Sequence, residues 1–172
     1  MGFIGEVEQI VTVNKKNEVT GHMPDNNRYA HPDVITRGSV VLIFDEQGKL
    51  LLQRRSRHKY SYPGYWCSSA GGVTKVNQSC IDCALEELEE EVGLQVTADQ
   101  LEDKGVHYIE HQVKEFVHVY VLHHPHFEPE ANWEVVETRW QDVTEIQNML
   151  AEGEPFTPVV LAAIAHTTGV KL

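Results

Sequence analysis

The sequence predicts a domain of the α/β class, and three observations lead to that class. The chain has 172 residues with a hydrophobic share of 41%, which suits one domain with a substantial core. Short apolar runs bounded by turn residues, such as 38–44 and 113–122, are typical of strands. Between them, an acidic segment carries apolar residues at three- and four-residue spacing, which predicts an amphipathic helix.

The other elements are predicted from the same patterns. Residues 6–13 and 18–22, separated by a polar turn, predict an N-terminal hairpin, and a polar loop follows over 23–33. Two helices are predicted near the end of the chain, at 143–151 and 158–166. The remaining strands are predicted at residues 38–44, 49–54, 66–73, 104–111 and 113–122.

The strand over 113–122 carries two sets of side chains that alternate along it. Successive residues of a strand point to opposite faces of the sheet, so the two sets separate. We expect the valines to face the core and the other set to face either solvent or a substrate cavity. The valines are Val117, Val119 and Val121, and the other set is Phe116, His118 and Tyr120.

Charge and cysteine content exclude several classes of protein. The formal net charge is −12, whereas a non-specific nucleic-acid binder needs basic surface to displace counterions from phosphates. No stretch approaches the roughly 20 apolar residues of a membrane span, and the N-terminus has no basic region followed by an apolar run. The cysteines number three, so we expect reduced thiols. These features predict a cytoplasmic protein that binds neither nucleic acid nor membrane. The sequence marks no interface, so the alternatives for its oligomeric state are a monomer and a homodimer.

The acidic helix places three carboxylates together and is expected to end at Gly93. Glu87, Glu90 and Glu91 stand at i, i+3 and i+4, where like charges destabilise a helix by roughly 0.2–0.5 kcal/mol per pair. No run of Lys or Arg nearby in the sequence offsets them. The face is either an ordinary solvated one or the oxygen-ligand set of a hard divalent cation, with Mg²⁺ as the first choice and Mn²⁺ as an alternative.

The spacing of this stretch resembles the Nudix box, G-x5-E-x7-R-E-U-x-E-E-x-G-U, in which U is a bulky aliphatic residue. Two positions depart from the box, because its first glutamate is Gln78 and its arginine is Glu86. In the family the arginine helps to hold the metal-binding glutamates, so the second departure replaces a positive charge with a negative one beside them. The positions that match are Gly72, Glu87, Leu88, Glu90, Glu91, Gly93 and Leu94.

The resemblance implies a Nudix α/β/α sandwich, a mixed sheet between helices, here with an N-terminal β-hairpin extension. We expect residues 1–172 to form a single Nudix domain, with the hairpin and loop over 1–34 and the core over 35–172. The resemblance also implies that a set of oxygen ligands holds Mg²⁺. That set is the carboxylates of Glu87, Glu90 and Glu91 together with the backbone of Gly72.

Residues 134–140 resemble a strand start that is common in Nudix proteins. The loop ahead of that strand often supplies a further acidic residue, for the metal or for activation of water. The resemblance therefore makes Glu134 and Glu137 the candidates for this role in the present chain.

A basic segment over 54–66 lies directly upstream of the box. By itself it is either a solvated loop or a binding site for phosphate oxygens. Its pattern, L-L-x-R-R-S-x-x-K followed by P-G-x-W, resembles the isopentenyl-diphosphate isomerase branch of the Nudix superfamily and the uncharacterised hydrolases nearest to it. In that isomerase an arginine and a lysine four residues later grip the substrate diphosphate, and these positions correspond to Arg55 and Lys59.

The residues that perform the isomerase chemistry are missing from the matching positions. Its cysteine corresponds to Gly71, and Cys67 lies four residues earlier, roughly 13 Å away by strand rise. A shift of one residue to use Glu115 as a metal ligand would turn that side chain to the opposite face. The metal-binding positions of the isomerase correspond to Val73, Lys114 and Phe116.

The sequence favours a Mg²⁺-dependent hydrolase that cleaves the diphosphate linkage of a nucleoside diphosphate derivative or a similar small molecule. Glu87 and Glu90 are the candidate catalytic residues, with Glu87 favoured over Glu91 as the base toward water. A binding module of the same fold with little turnover is the alternative, because of Gln78 and Glu86. An isomerase is a third and less favoured reading. The candidates for an aromatic ring that stacks on the substrate are Trp66, Tyr62 and Tyr120, and a site with no stacking ring is the alternative.

Overall fold

The computed structural model describes residues 7–130 and 132–172, which form one mixed sheet of nine strands with three α-helices. Two short 3-10 helices, Asp25–Ala30 and Ala98–Gln100, lie in connections, the first of them within the predicted loop over 23–33. The α-helices are α1 (Cys80–Val92), α2 (Val143–Ala151) and α3 (Pro158–Thr168). The strands are β1 (Gln9–Val13), β2 (Val19–Pro24), β3 (Ile35–Phe44), β4 (Leu50–Arg55), β5 (Trp66–Cys67), β6 (Ala70–Val73), β7 (Leu101–Glu110), β8 (Lys114–His123) and β9 (Val135–Gln141).

Strand β3 is the centre of the sheet. It runs parallel to β8 along its whole length, from Ile35 opposite Lys114 to Phe44 opposite His123. Strands β1 and β6 pair with it antiparallel, and β4 joins it at the turn that connects the two. Strand β4 in turn carries β5 and β9, and β7 lies outside β8. The sheet is therefore mixed, as predicted.

The helices cover both faces of this sheet, which confirms the α/β/α arrangement. On one face α1 buries Ala84, Leu88 and Val92 against the strands. On the other face α2 and α3 pack through Ile146 and Ile164. Because apolar side chains from β3 and β8 enter both layers, the sheet forms the middle of two hydrophobic cores.

The two faces of β8 lie in different cores. Its three valines, predicted to face the core, are buried beneath α2 and α3. Tyr120 is buried beneath α1 with its ring stacked on that of His118, 4.4 Å between centroids, and Phe116 lies 5.1 Å from Tyr108. None of these three alternating side chains lines the cavity described below. The substrate-cavity alternative for this face is therefore wrong.

The N-terminal hairpin forms as predicted, although Glu6 lies outside the described residues. Strands β1 and β2 pair antiparallel, and β1 also hydrogen-bonds to the loop that precedes α1. The Val11 N–H donates to the Thr74 carbonyl and the Val76 N–H donates to the Gln9 carbonyl, both at 3.0 Å. The hairpin is thus attached to the loop that leads into the acidic helix.

The single strand predicted over 66–73 is interrupted at Ser68 and Ser69. The Ser69 hydroxyl donates to the Leu51 carbonyl at 2.6 Å and accepts the Ile43 N–H at 2.8 Å. The Ser69 hydroxyl thus takes the place of a backbone hydrogen-bond partner between β3 and β4. The chain consequently leaves β4, which pairs with β5, and continues as β6 beside β3.

Helix α1 begins and ends at residues suited to those positions. The Ser79 hydroxyl accepts the Asp82 N–H at 3.1 Å, which satisfies one of the free donors of the first turn. Gly93 ends the helix at φ 73°, a left-handed conformation that glycine adopts without a steric penalty. The predicted end of the helix is therefore confirmed.

Candidate active site

One cavity of about 450 Å³ brings together the residues predicted to bind metal or substrate. Its volume suits a small molecule. A second cavity, about 460 Å³ in volume and lined around Asp45 and His126, contains none of them. The predicted residues in the first cavity are Gly72, Glu87, Glu90, Glu91, Arg55 and Lys59.

Gly72 lies where any side chain would collide with Glu87. A Cβ atom at this position would be 2.0 Å from the Glu87 Oε1 and 2.4 Å from its Cδ. The Glu87 carboxylate therefore lies directly over the Gly72 backbone. Because Gly72 has a φ outside the left-handed region, close approach alone accounts for the need for glycine.

Glu91 is buried, with 7% of its surface exposed, and two donors hold its carboxylate. The Gln53 amide donates to Oε2 at 2.7 Å and the Gly71 N–H donates to the same oxygen at 3.1 Å. Burial raises the pKa of Glu91 to about 7, against the lowering effect of these two hydrogen bonds. Gln53 was not predicted, although a polar residue on the same face of β4 as the buried Leu51 was a usable signal.

Glu87 is partly buried and Glu90 is exposed. Burial, followed by the charges of Glu91 and Glu90, raises the pKa of Glu87 to about 8. Partial desolvation, followed by the charge of Glu86, also raises the pKa of Glu90. No described residue donates a hydrogen bond to either carboxylate. Among the described residues, no lysine or arginine forms a direct ion pair with either carboxylate, and the charge of Lys75 only partly offsets these effects.

The donor set fits a hard divalent cation. It consists of carboxylate and backbone oxygens without a histidine, which suits Mg²⁺ or Mn²⁺ better than a softer metal. Among the described residues, no group of three acidic, histidine or cysteine side chains is already arranged to hold a metal ion. Glu91 is bonded to Gln53 and Gly71 whereas Glu90 is exposed, so a change of side-chain conformation has to complete the set.

Arg55 and Lys59 line the same cavity, and both have partners within the protein. Arg55 donates from Nε to the Ser61 carbonyl and from Nη2 to the Ser61 hydroxyl, each at 3.0 Å. Lys59 forms an ion pair with Glu134. Glu134 therefore holds the Lys59 ammonium group close to the cavity, and a bound anion would have to replace the Glu134 carboxylate.

The two candidates for a further acidic residue lie in different places. Glu134 lines the cavity, whereas Glu137 lies outside its lining and pairs with Arg54 at 3.4 Å. Glu134 is positioned by Asn132, whose side chain accepts the Glu134 N–H at 2.8 Å and donates to the Glu91 carbonyl at 3.1 Å. Asn132 ties this loop to the end of α1, and no sequence pattern pointed to it.

Two exposed aromatic rings lie in the lining of the cavity, at positions the sequence did not single out. Trp133 is 73% exposed and Tyr60 is 83% exposed. The Lys59 Nζ lies 5.4 Å from the centroid of the Trp133 ring. Of the rings expected to stack on a substrate, only Tyr62 lines the cavity. The other two, Trp66 and Tyr120, are buried in the two cores.

The expectation that Glu115 would face away from the site is wrong. Its carboxylate lines the cavity, and the Oε2 would lie 3.7 Å from a Cβ built on Gly38. Arg28 Nη2 donates to it at 3.1 Å, and His111 Nε2 is 2.6 Å away. These contacts outweigh burial and lower the pKa of Glu115. The Tyr62 hydroxyl, 3.0 Å from His111 Nδ1, extends the network.

This error has a simple geometric cause. The expectation rests on the correspondence of the isomerase positions to Lys114 and Phe116, the two neighbours of Glu115 along the strand. A slip of one residue in such a match moves a side chain to the other face of the sheet. In the fold, the parallel register of β8 with β3 places Glu115 opposite Thr36.

The two positions that depart from the Nudix box contact each other. The Gln78 amide donates to Glu86 Oε2 at 2.5 Å, and Lys75 Nζ lies 3.0 Å from Glu86 Oε1. Lys75 also pairs with Glu8 at 2.9 Å. Burial raises the pKa of Glu86, but the hydrogen bonds from Lys75 and Gln78 outweigh it and lower the pKa below its usual value. The additional carboxylate is therefore neutralised locally.

The isomerase chemistry has no thiolate available at this site. At Gly71 a Cβ atom would lie 2.9 Å from the Ser39 carbonyl oxygen, so the position is closed to a side chain without movement of the backbone. Cys67 is buried, and burial raises the pKa of its thiol to about 12. Cys67 therefore stays protonated at neutral pH.

Comparison with known proteins assigns the family. A family model described as the NUDIX domain matches residues 35–164, which is 130 (164 − 35 + 1) of the 172 residues. The chain therefore belongs to the Nudix family. Nudix hydrolases act on diphosphate-containing substrates, generally with a divalent metal. No helix within the described residues is long and apolar enough to cross a membrane.

Three relatives illustrate the breadth of the similarity. An uncharacterised Nudix hydrolase of Pseudomonas aeruginosa is 36% identical over 89 residues, about half (52%) of each protein. The uncharacterised Nudix hydrolase YfcD of Salmonella typhi is 30% identical over 165 residues, 94% of this chain and 85% of that protein. An isopentenyl-diphosphate Delta-isomerase of Cereibacter sphaeroides is 33% identical over 146 residues, 79% of this chain and 81% of the isomerase.

The fold also matches solved structures. The crystal structure of DR0079 from Deinococcus radiodurans superposes with a TM-score of 0.76 at 21% identity and covers 94% of this chain and 98% of that one. At this level of identity the likeness concerns the fold.

Proposed function

We propose that this protein is a metal-dependent hydrolase that cleaves the diphosphate linkage of a small molecule. One observation carries the proposal: the carboxylates of α1 share a cavity with Arg55 and Lys59. A diphosphate placed between them would face a cation held by carboxylates on one side and protein cations on the other. Membership of the Nudix family supports the same class of substrate.

The carboxylates of Glu87, Glu90 and Glu91, with the Gly72 carbonyl, are the residues that would hold Mg²⁺ or Mn²⁺. The ion would supply positive charge against the diphosphate oxygens and orient them for in-line attack. Glu91 is held by Gln53 through a buried hydrogen bond, so it has little freedom to move. It therefore suits the role of a fixed ligand.

Glu87 is the residue that we assign as base toward the attacking water. Its carboxyl group lies over Gly72 and accepts no hydrogen bond from described residues, and its pKa of about 8 is close to neutral pH, so its ionised form has an oxygen free to receive a proton. The water oxygen forms a bond to one phosphorus, its proton passes to Glu87, and the bridging P–O bond breaks. Arg55 and Lys59 offset the charge on the departing phosphate.

The surroundings of the cavity favour a polar or aromatic group on the diphosphate. The exposed rings of Trp133 and Tyr60 can contact the flat face of a heterocycle, as in a nucleoside diphosphate derivative. The charged pair of Arg28 and Glu115 on the cavity wall suits a hydrogen-bonding group better than a hydrocarbon chain. Together with the protonated Cys67, this argues against an isoprenoid diphosphate isomerase.

The test is release of phosphate or pyrophosphate from a panel of nucleoside diphosphate derivatives and short isoprenoid diphosphates, with Mg²⁺ or Mn²⁺. We expect release from one class of compound, and we expect it to be lost in Glu91→Gln and Glu90→Gln. Glu89→Gln is the matched control, because Glu89 is an exposed residue of the same helix that does not line the cavity.

A second outcome would identify the alternative. If no compound of the panel releases phosphate or pyrophosphate while a ligand still raises the melting temperature of the protein, the hydrolase proposal is overturned and a binding module is favoured. Release that survives in Glu91→Gln would show that the carboxylate face of α1 is not the site.

A further inference from the structure

The loop before α1 is joined to the helix by side chains that the Nudix box does not contain. Lys75 Nζ lies 3.0 Å from Glu86 on α1 and 2.9 Å from Glu8 at the start of the hairpin. The Gln78 side chain bridges the same parts, because its oxygen accepts the Lys75 N–H at 3.0 Å while its nitrogen donates to Glu86 at 2.5 Å. Both oxygens of Glu86 are thus matched with donors, one from Lys75 and one from Gln78.

We propose that Lys75 is the residue that positions the carboxylate face of α1, in place of the arginine of the Nudix box. In this arrangement the two departures from the Nudix box, Gln78 and Glu86, depend on each other, because each is the hydrogen-bond partner of the other. Together they exchange one set of hydrogen-bond partners for another, and neither departure is an independent loss of an interaction. The role in positioning rests on the proposed function. The coupling concerns contacts in the folded protein and can be tested without a substrate.

The contacts explain why the two changes belong together. A carboxylate at position 78 would lie against the Glu86 carboxylate and lose its attraction. A guanidinium at position 86 would meet Lys75, which now lies 3.0 Å from the Glu86 oxygen. The Gln78 amide could not turn its oxygen toward that guanidinium without giving up its bond to the Lys75 N–H.

The N-terminal hairpin takes part in the same cluster. Ile10 of β1 forms an isolated bridge with Lys75, and the two backbone hydrogen bonds of Val11 and Val76 lie on either side of it. The Lys75 side chain is 24% exposed and lines the cavity next to Glu87 and Glu90. Its cation is therefore held by Glu8, directly before β1, on one side and by Glu86 of α1 on the other, which aligns the loop with the helix.

The first experiment measures coupling in the metal-free protein by urea unfolding. Gln78→Glu and Glu86→Arg are each expected to lower the folding equilibrium constant several-fold. The double variant places a carboxylate opposite a guanidinium. We therefore expect its folding equilibrium constant to be at least about tenfold higher than the product of the two single effects predicts. The proposed exchange would be overturned if the folding equilibrium constant of the double variant lay within twofold of the value given by multiplying the two single effects.

The second experiment separates positioning from general stability. Lys75→Met should lower kcat about tenfold with KM within twofold, and Lys75→Arg should retain kcat because it keeps the charge. In the metal-free protein, amide hydrogen exchange over residues 74–79 should be faster in Lys75→Met. Lys49→Met is the matched control: Lys49 forms a similar ion pair, 3.2 Å from Glu145 with its side chain 32% exposed, outside this cavity.

Two results would overturn the positioning role. One is hydrogen exchange over 74–79 that is no faster in Lys75→Met than in Lys49→Met. The other is a kcat in Lys75→Arg as low as in Lys75→Met, because a role for the cation requires rescue by arginine. Failure to find any substrate would count against the hydrolase and leave the hydrogen-exchange and unfolding measurements to decide the coupling.

Discussion

Replacement of Gly72 by alanine tests whether the Glu87 carboxylate works from its present place. The added methyl group would lie 2.0 Å from Glu87 Oε1, 2.4 Å from Cδ and 3.0 Å from Cγ. Ordinary contacts of a Cβ atom begin at 3.4 Å, so the oxygen must move by at least 1.4 Å (3.4 − 2.0). The substitution therefore displaces one carboxylate and leaves its chemistry unchanged.

The displacement sets the expected loss of activity. A misplacement of about 1 Å in an active site costs roughly 100-fold in rate. We therefore expect kcat/KM for Gly72→Ala to fall by about 100-fold, equivalent to about 2.7 kcal/mol of transition-state stabilisation. Glu87→Gln should be affected at least as strongly, because it removes the same carboxylate.

Stability should hardly change in this variant. The atoms that the methyl group meets belong to the end of a flexible side chain, which can turn into the cavity, so we expect a change of less than about 1 kcal/mol in the free energy of unfolding. Gly71→Ala provides the contrast. There a Cβ atom meets the Ser39 carbonyl at 2.9 Å and Val40 Cα at 3.3 Å, both backbone atoms, and we expect a loss of about 1–3 kcal/mol.

Steady-state kinetics on the substrate found in the panel and urea unfolding of the metal-free protein measure the two quantities. The reasoning is refuted if Gly72→Ala keeps kcat/KM within threefold of wild type. It is also refuted if Gly72→Ala unfolds as readily as Gly71→Ala, because the collision would then be absorbed by the backbone.

Three further predictions concern the same cavity. The melting temperature of the metal-free protein should fall between about pH 5 and pH 8, because folded Glu87 and Glu91, with pKa values of about 8 and 7, keep protons that unfolded carboxyl groups release near 4.5. Saturating Mg²⁺ should raise it more at pH 9, and a melting temperature that rises with pH would contradict this. Arg28→Met leaves Glu115 buried without its arginine, so urea unfolding should show a loss of about 3–5 kcal/mol, and a loss below about 1 kcal/mol would mean that the carboxylate is solvated. Trp133→Ala should raise KM several-fold and change the free energy of unfolding by less than about 0.5 kcal/mol, whereas an unchanged KM would exclude the ring from substrate binding.

Much of the candidate site was predictable because its residues lie close together in the sequence. The spacing of Glu87, Glu90 and Glu91 follows from the helical period, and the end of α1 at Gly93 follows from the conformational freedom of glycine. The resemblance to the Nudix box supplied Gly72, whose closeness to Glu87 was visible only in the fold.

The missed residues come from distant parts of the chain. Gln53 and Asn132 contact Glu91 across 38 and 41 positions, and Arg28 contacts Glu115 across 87. No local pattern encodes such pairs, because they arise only when strands of the sheet are placed next to one another. The same holds for the strand over 66–73, which a serine hydroxyl divides.

By itself, the sequence determined the α/β class, the position and polarity of the acidic helix and its three carboxylates, because hydrophobic period and helix ends are properties of a few neighbouring residues. The tertiary structure alone decided which charges are neutralised. It placed Lys75 between Glu8 and Glu86 and turned Glu115 into the cavity. Electrostatic attraction acts through space, so its outcome depends on the register of the strands and the docking of the hairpin, which short stretches of sequence do not specify.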